Sequence, residues 1–558
     1  MEAWEADRPL ELGLTHDRVG RAVKIFWFWL THWQGRRYVV ALLSGILMGL
    51  TPSPSNAWFL AWVALVPLWL LAWNPEYELP FSRTRFISTQ FFTGLAWGIG
   101  YHGFALSWIT GIHPMTWLGV NWWVSLMIAF FAWSFITLWG AVLVGLWAVA
   151  IAGLERVSSP GTKPQLLQGM PIWLRVLVGT ALWCGLERLW EFGPLLWTSL
   201  AYTQSPYNLA ILHLGQLSGP LTVTAAIVAV NGMFAAAWLQ FRELNRRKMQ
   251  QILAINVSLL IGLHLLGLAL YSLPLNDLPN TALRVGIIQG NIPNQIKLSP
   301  EGWRRAIEGY TTGYRTLADQ GVEAILTPET ALPYLFDVQD RSRSSFYEAI
   351  LEKQVPAWVG AIGKQGQSIT NSLFTVMGTG KIFSRYDKVK LVPLGEYIPF
   401  EQVLGKLIDR LSPLEAHMAA GKPGQRFDTP FGRAIVSICY DSAFTEHFQT
   451  QAAQGGQFIL SAANNAHYSA RMPAQHHAQD VMRAIETDRW AVRAANTGYS
   501  GIVDPHGKTR WISVLNTYAI HTGTVYRRQT KTLYVRWGNW LTPSLVGLAV
   551  VSVLSRKF

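Results

Sequence analysis

The sequence predicts a polytopic α-helical membrane bundle of about eight spans, with one α/β domain inserted before the last span. Three observations carry this. Apolar stretches long enough to cross roughly 30 Å of hydrocarbon recur along the first half. Only 14% of the 558 residues are charged, against about 25% in ordinary globular chains. The 27 tryptophans are the enrichment expected where rings sit at the edges of a bilayer.

In chain order the spans fall near 38–55, 56–73, 88–109, 118–153, 172–189, 211–238, 252–273 and 538–555. The first two are joined through the Pro52/Pro54 turn, and 118–153 reads as one long tilted helix or a helix with a re-entrant piece. Helix is the expected form because lipid offers no partner for backbone N–H and C=O groups. The resulting division is a tail at 1–37, a seven-span region at 38–273, a water-exposed domain at 274–537, and a final span with its tail at 538–558.

Basic residues orient the chain. Arg36 and Arg37, Arg83 and Arg85, Arg156 and Lys163, Arg242 to Lys248, and Arg556 with Lys557 all fall on one side of an eight-span arrangement. The positive-inside rule makes that side cytoplasmic. Both termini are then cytoplasmic, and 274–537 faces outward, to the periplasm of a diderm bacterium. No cleavable signal is expected, because the first 37 residues carry several acids and no early apolar run with a small-residue cleavage site. The net charge of +13 includes these loop charges, and no base-reading motif accompanies it, so nucleic acid is not an expected partner.

The outer domain has a different pattern. Val285–Ile288, Ala324–Leu326, Ile435–Ile438 and Phe458–Leu460 read as buried strands, and 300–319 and 474–489 as helices. A hairpin around Gly378 and Gly380 leads into Ile382–Tyr386, and an irregular arm from Pro393 to about Gly424 carries an apolar run at 400–412. That run is suited to lie on the bilayer or over a lipid-filled cleft. Alternating strands and helices argue for a layered α/β structure.

With two cysteines, one inside a span (Cys184) and one in the outer domain (Cys439), neither a disulfide scaffold nor a cysteine metal cluster is expected. Cys439 ends a strand-like run and precedes Tyr440-Asp441, a place where a nucleophile can be held exposed; a buried packing role fits the same pattern. Glu329 ends another such run, and Lys388 lies in Tyr386-Asp387-Lys388. A carboxylate can take a thiol proton and an ammonium can stabilise an oxyanion. Alternatively, the two are a solvated strand end and a loop cation.

The ordered set Pro328-Glu329, Tyr386-x-Lys388 and Cys439-Tyr440-Asp441 resembles the Glu-Lys-Cys triad of the carbon-nitrogen hydrolase, or nitrilase, superfamily. Together with the spans, Phe92-Thr93-Gly94, Gln289-Gly290-Asn291-Ile292-Pro293, the run Leu391 to Pro399 and Arg483-Ala484-Ile485-Glu486, the chain is similar to the membrane branch of that superfamily, the apolipoprotein N-acyltransferases. The resemblance covers nearly the whole chain. It implies a four-layer α-β-β-α sandwich over 280–530, with Glu329 as general base, Lys388 at the oxyanion, Cys439 as the acylated nucleophile and Glu396 orienting Lys388 or helping proton transfer. Tyr386, Tyr440, Asp441, Asn465, His467 and Tyr468 become substrate-pocket candidates.

Two positions depart from the family pattern: Asp441 stands for a Glu, and Asn464-Asn465-Ala466-His467-Tyr468 stands where the family usually reads Asn-Asp-Ala-Trp-Phe. The adjacent His476 and His477 read as surface or loop packing rather than metal ligands. The implied reaction passes an acyl chain from a glycerophospholipid, by family inference phosphatidylethanolamine, through a Cys439 thioester to the α-amino group of a diacylglyceryl-modified apolipoprotein. No cofactor or metal is needed, and the resemblance implies a monomer in the bacterial inner membrane. Other readings are a membrane-tethered amidase or nitrilase, an acyltransferase with another amine acceptor, and a transport or scaffold protein. The last is kept open by the intramembrane His102, His213 and His264.

Overall fold

Apolar side chains face outward along the long helices, which in water would be a liability and in lipid is the stable arrangement. The computed structural model describes residues 34–73, 83–155, 170–193, 195–297, 299–336, 344–393, 395–397 and 418–555. The N-terminal tail before residue 34, the basic residues Arg156, Lys163, Arg556 and Lys557, and the apolar arm at 400–412 lie outside them.

The membrane region comprises α1 (Gln34–Gly49), α2 (Val66–Trp73), α3 (Arg83–Ala105), α4 (Trp122–Glu155), α5 (Ile172–Trp190), the short α6 (Leu209–Leu212) and α7 (Gly215–Ser218), α8 (Leu221–Arg242) and α9 (Arg246–Tyr271). Within α4, α8 and α9, the segments Trp122–Leu154, Leu221–Arg242 and Arg246–Tyr271 are long and apolar enough by themselves to cross a bilayer. On α9, Ile255, Ile261 and Leu265 are each more than half exposed, and Phe130 and Phe131 project likewise from α4. The chain is a multi-pass membrane protein.

Two expected spans are not continuous helices. The stretch 56–73 is a 3-10 turn, Trp58–Trp62, followed by α2, whose second residue is Pro67. Proline is tolerated at a helix start, where its missing N–H has no partner to lose. The stretch 211–238 is broken because Gly219 takes φ +79 and Pro220 starts a new helix at Leu221. The segment 118–153 resolves into a 3-10 turn at Thr116–Leu118 and the single helix α4.

The α/β domain begins with β1 (Ala282–Gln289), α10 (Asn294–Lys297), α11 (Pro300–Asp319), β2 (Ala324–Leu326), β3 (Leu332–Leu335), α12 (Ser345–Lys353), β4 (Ala357–Gln365), β5 (Ser368–Val376) and β6 (Ile382–Asp387). It continues through β7 (Phe427–Thr429), β8 (Gly432–Ile438), α13 (Thr445–Ala453), β9 (Phe458–Ala463), α14 (Arg471–Thr487), β10 (Ala491–Ala495), β11 (Gly501–Val503), β12 (Thr509–Ile512) and β13 (Ala519–Tyr526). After α15 (Leu533–Trp537) comes α16 (Leu541–Leu554), which packs on α5.

Among the described residues one sheet runs β13-β1-β2-β4-β5-β6, with β3 beside β4, and the other β12-β11-β10-β9-β8-β7. Their facing sides bury Val285, Ile287, Leu326, Trp358 and Leu373 against Val436, Ile438, Leu460 and Val492. α11 and α12 cover the outside of the first sheet through Tyr310, Tyr314, Leu317, Phe346 and Ile350. α13 and α14 cover the second, so four layers α-β-β-α result. Phe448, Val481, Met482 and Ile485 of that last layer share a core with membrane residues such as Trp69 and Trp147. α14 is therefore buried from both sides, and Gln475 ties it to the bundle by accepting from Trp108 Nε1 (3.1 Å) and Trp197 Nε1 (2.8 Å).

Candidate active site

The central strands β8, β9 and β10 are parallel, so their C-terminal ends lie together at one edge, the usual place for a site in an open α/β sheet. Cys439 follows β8, Asn464 and Asn465 follow β9, and Asn496 follows β10. From the other sheet come Glu329 after β2, Lys388 after β6, and Lys297 at the end of α10.

Cys439 stands at φ +50, a conformation that costs a non-glycine residue about 1–3 kcal/mol and persists only where surroundings impose it. Asp441 is what imposes it. Its Oδ2 accepts from the N–H of Ile438 (3.1 Å) and from the Tyr386 hydroxyl (3.1 Å), while its Oδ1 accepts from the N–H of Lys390 (2.7 Å). One carboxylate thus closes the Cys439 turn and fastens it to the segment carrying Lys388. The Cys439 carbonyl accepts from His476 Nε2 (3.1 Å), which fixes that tautomer and leaves Nδ1 to accept from Asn465 Nδ2 (3.1 Å).

Glu329 is set by close backbone contact. A Cβ on Gly360 of β4 would stand 2.0 Å from the Pro328 carbonyl oxygen, so that strand can approach only as glycine. Glu329 Oε1 accepts from Lys388 Nζ (2.9 Å) and Asn371 Nδ2 (2.7 Å). Lys388 Nζ also meets Glu396 Oε1 at 2.9 Å, and Glu396 Oε2 accepts from the N–H of Val392 (2.8 Å). Asn371 Nδ2 bridges to Glu396 Oε1 as well (3.1 Å).

The charges follow from this geometry. Burial opposes ionisation of Glu329, but the Lys388 ammonium, with Lys297 and the Asn371 amide, holds its carboxyl below the ordinary value. Burial would likewise neutralise Lys388, yet Glu329 and Glu396 keep it a cation well above the usual lysine range. The Cys439 thiol is pushed up to about 12, by burial first and by the Glu329 charge second. The resting site therefore holds a carboxylate, an ammonium and a protonated thiol.

Glu329, Lys388 and Glu396 are brought into direct contact, and Cys439 shares the site with them. Tyr386 is fully buried between the sheets, with its hydroxyl on Asp441 and on His447 Nε2 (2.8 Å). The Tyr440 hydroxyl accepts from the N–H of Leu196 (2.8 Å), and its ring is nearly parallel to that of Trp197. His467 stacks on Trp117, Tyr468 meets Trp108 edge-on, and Asn465 contacts His476 rather than the charged cluster. The two aromatic positions after β9 thus rest on two 3-10 turns of the membrane region, Ser107–Ile112 and Thr116–Leu118.

Sequence reasoning missed three residues. His476, read with His477 as surface or loop packing, is fully buried behind Cys439, and His477 is buried too. Asn371 interrupts a strand with a residue type that strands disfavour, which was a usable signal. Lys297 was hidden among loop cations. His102, His264 and His213 have local partners in Thr198, Asn208 and the Leu209 carbonyl.

The carbon-nitrogen hydrolase family model matches residues 284–517, and the model for the apolipoprotein N-acyltransferase N-terminal domain matches residues 44–233. Over 504 residues the chain is 59% identical to an apolipoprotein N-acyltransferase of Nostoc sp., spanning 90% of this chain and 96% of that one. This chain belongs to the apolipoprotein N-acyltransferase family. A second relative of the same name, from Synechocystis sp., is 50% identical over 91% of this chain and 98% of its own length. A more distant one, from Gloeobacter violaceus, is 34% identical over 94% and 95%. The matched span takes in both the membrane region and the α/β domain, so the membrane-branch resemblance read from the short motifs holds for the chain as a whole.

Proposed function

We propose that the protein transfers an acyl chain from a glycerophospholipid, through a thioester on Cys439, to the α-amino group of the diacylglyceryl-cysteine that begins an apolipoprotein. The observation that carries this is the buried Glu329–Lys388–Glu396 cluster beside a cysteine whose turn is bonded directly to the membrane region through Tyr440. That contact holds the cysteine turn against the membrane region, within reach of lipid-borne substrates.

In the first half-reaction Cys439 Sγ attacks the ester carbonyl while its proton passes to Glu329. The oxyanion is met by Lys388 Nζ and the N–H of Tyr440. Collapse expels the lysophospholipid alkoxide, which takes the proton from Glu329. In the second, the neutral amine attacks the thioester, Glu329 accepts its proton, and the thiol is restored by the same proton. A thiol that is protonated at rest suits this order, since sulfur becomes anionic only as the carbonyl is attacked. Glu396 holds Lys388 in place.

The basic loops support an orientation with both termini cytoplasmic and the catalytic domain periplasmic in a diderm inner membrane. Reporter cysteines near 350 should then label in intact cells and those near 245 should not. For the reaction itself, purified protein incubated with phosphatidylethanolamine and a diacylated lipopeptide should yield the N-acylated peptide and lysophospholipid. Release of free fatty acid alone, with the peptide unmodified, would replace this reading by hydrolysis.

A further inference from the structure

α10 lies against the site and presents two side chains that the triad does not use. Asn294 and Lys297 are three residues apart, hence neighbours on one face of this single turn. A Cβ on Gly302 of α11 would stand 1.9 Å from the Ile296 carbonyl oxygen and 2.9 Å from the Lys297 Cα, so α10 is held without slack.

A relay of amides decides what Asn294 offers. Asn496 Oδ1 accepts from the N–H of Ile292 (2.8 Å), so its Nδ2 faces Asn464 Oδ1 (3.2 Å). Asn464 Oδ1 also accepts from the N–H of Ala466 (3.4 Å), so Asn464 Nδ2 donates to Asn294 Oδ1 (3.3 Å). What remains on Asn294 is Nδ2, a donor buried without a partner among the described residues. Asn464 is also the residue whose carbonyl oxygen lies 3.9 Å from Cys439 Sγ.

Lys297 Nζ donates to the Glu329 carbonyl oxygen at 3.3 Å, one use of three available donors. The Glu329 carboxylate is already engaged by Lys388 and Asn371. Burial lowers Lys297 to about 8 even though Glu329 and Cys439 favour its charge, and its charge disfavours protonation of His467, which rests on Trp117 of the membrane region. A cation with donors unused among the described residues and an orphan N–H thus flank Cys439, near the aromatic contact with the membrane region. Both call for an anionic oxygen.

We propose that Asn294 Nδ2 and Lys297 Nζ form a subsite for the phosphodiester of the acyl donor, which places the neighbouring ester carbonyl at Cys439. The subsite rests on the phospholipid-donor reading given above. Phosphate is a better match than any group at the reacting end of the acceptor, because that end is an amine, which a cation repels while charged. Lysine serves phosphate as a point charge.

The test compares two donors with the same acyl chain on the full-length protein: phosphatidylethanolamine, and a p-nitrophenyl ester that has an activated leaving group and no phosphate. Acylation of Cys439 is followed by intact-protein mass, and the ratio of kcat/KM for the two donors is read. Asn294→Asp keeps the acceptor for Asn464 and replaces the orphan donor by an anion; it should lower the ratio at least tenfold. Lys297→Met should do the same, and Lys297→Arg should restore most of it. An unchanged ratio in Asn294→Asp and Lys297→Met overturns the subsite, as does a defect confined to discharge of a preformed thioester by lipopeptide. Failure of phosphatidylethanolamine to acylate the wild-type protein overturns the donor reading instead.

Discussion

Replacing Asp441 by Asn tests whether one carboxylate organises the Cys439 turn. The two main-chain N–H groups it serves lie on opposite oxygens, Ile438 on Oδ2 and Lys390 on Oδ1, and the Tyr386 hydroxyl shares Oδ2. A carboxamide has one acceptor, so either orientation turns an NH2 group toward a main-chain N–H, fully buried at Ile438 and partly buried at Lys390. The cheaper one keeps oxygen toward Ile438 and Tyr386 and sacrifices Lys390. Losing a hydrogen bond to a charged group costs about 1.5–3 kcal/mol, and the segment released is the one that carries Lys388. Since about 1.4 kcal/mol is a factor of ten in rate, formation of the Cys439 thioester should slow roughly 10- to 100-fold. Mass spectrometry of the intact protein with phospholipid alone measures that rate, and hydrogen exchange at the Lys390 amide reports the loosened segment. A rate within about twofold of wild type with Lys390 still protected would refute the role given to Asp441.

Three further outcomes are expected. Because burial pushes the Cys439 thiol up to about 12, its alkylation by iodoacetamide without substrate should climb steadily from pH 7 to 10; a plateau near the ordinary thiol value of roughly 8.5 would show a free thiolate instead. Glu329 is held below its ordinary value, so its contribution to stability is complete above about pH 4.3, its unfolded value, and is lost as pH falls through the lower folded one; Glu329→Gln should remove that acid-side dependence, read by thermal unfolding against pH. A Cβ on Gly111 would stand 2.5 Å from the Ser469 backbone nitrogen, so Gly111→Ala should push the His467–Tyr468 loop off the membrane region and impair transfer to lipopeptide, whereas Gly119→Ala, with nothing within 4 Å but φ +75, should disturb only its own turn.

The strands were legible because each core strand is a short apolar run bounded by turn residues: β1, β2, β8 and β9 all contain the runs read from sequence. Glu329, Lys388 and Cys439 were legible because each lies just beyond a strand within a short motif. Hydropathy could not show where α2 and α6 to α8 are interrupted, since an apolar segment broken by Gly219 and Pro220 averages like an unbroken one. Asn371, His476 and Lys297 come from separate parts of the chain and meet Glu329, Lys388 and Cys439 only after the two sheets have packed. No local spacing encodes that convergence. The His467–Tyr468 pair, which departs from the family pattern, makes aromatic contacts in the fold with Trp117 and Trp108.

The central claim is a covalent acyl-enzyme, and intact-protein mass spectrometry tests it most directly. Wild-type protein given phosphatidylethanolamine alone should gain one acyl group on Cys439, removable by hydroxylamine, and should lose it to product when diacylated lipopeptide is added. Cys184, buried in α5 with its sulfur toward the Leu221 carbonyl, provides the control: Cys184→Ser should behave as wild type, and Cys439→Ser should neither be acylated nor transfer. An unmodified Cys439 together with undiminished transfer by Cys439→Ser would contradict the account.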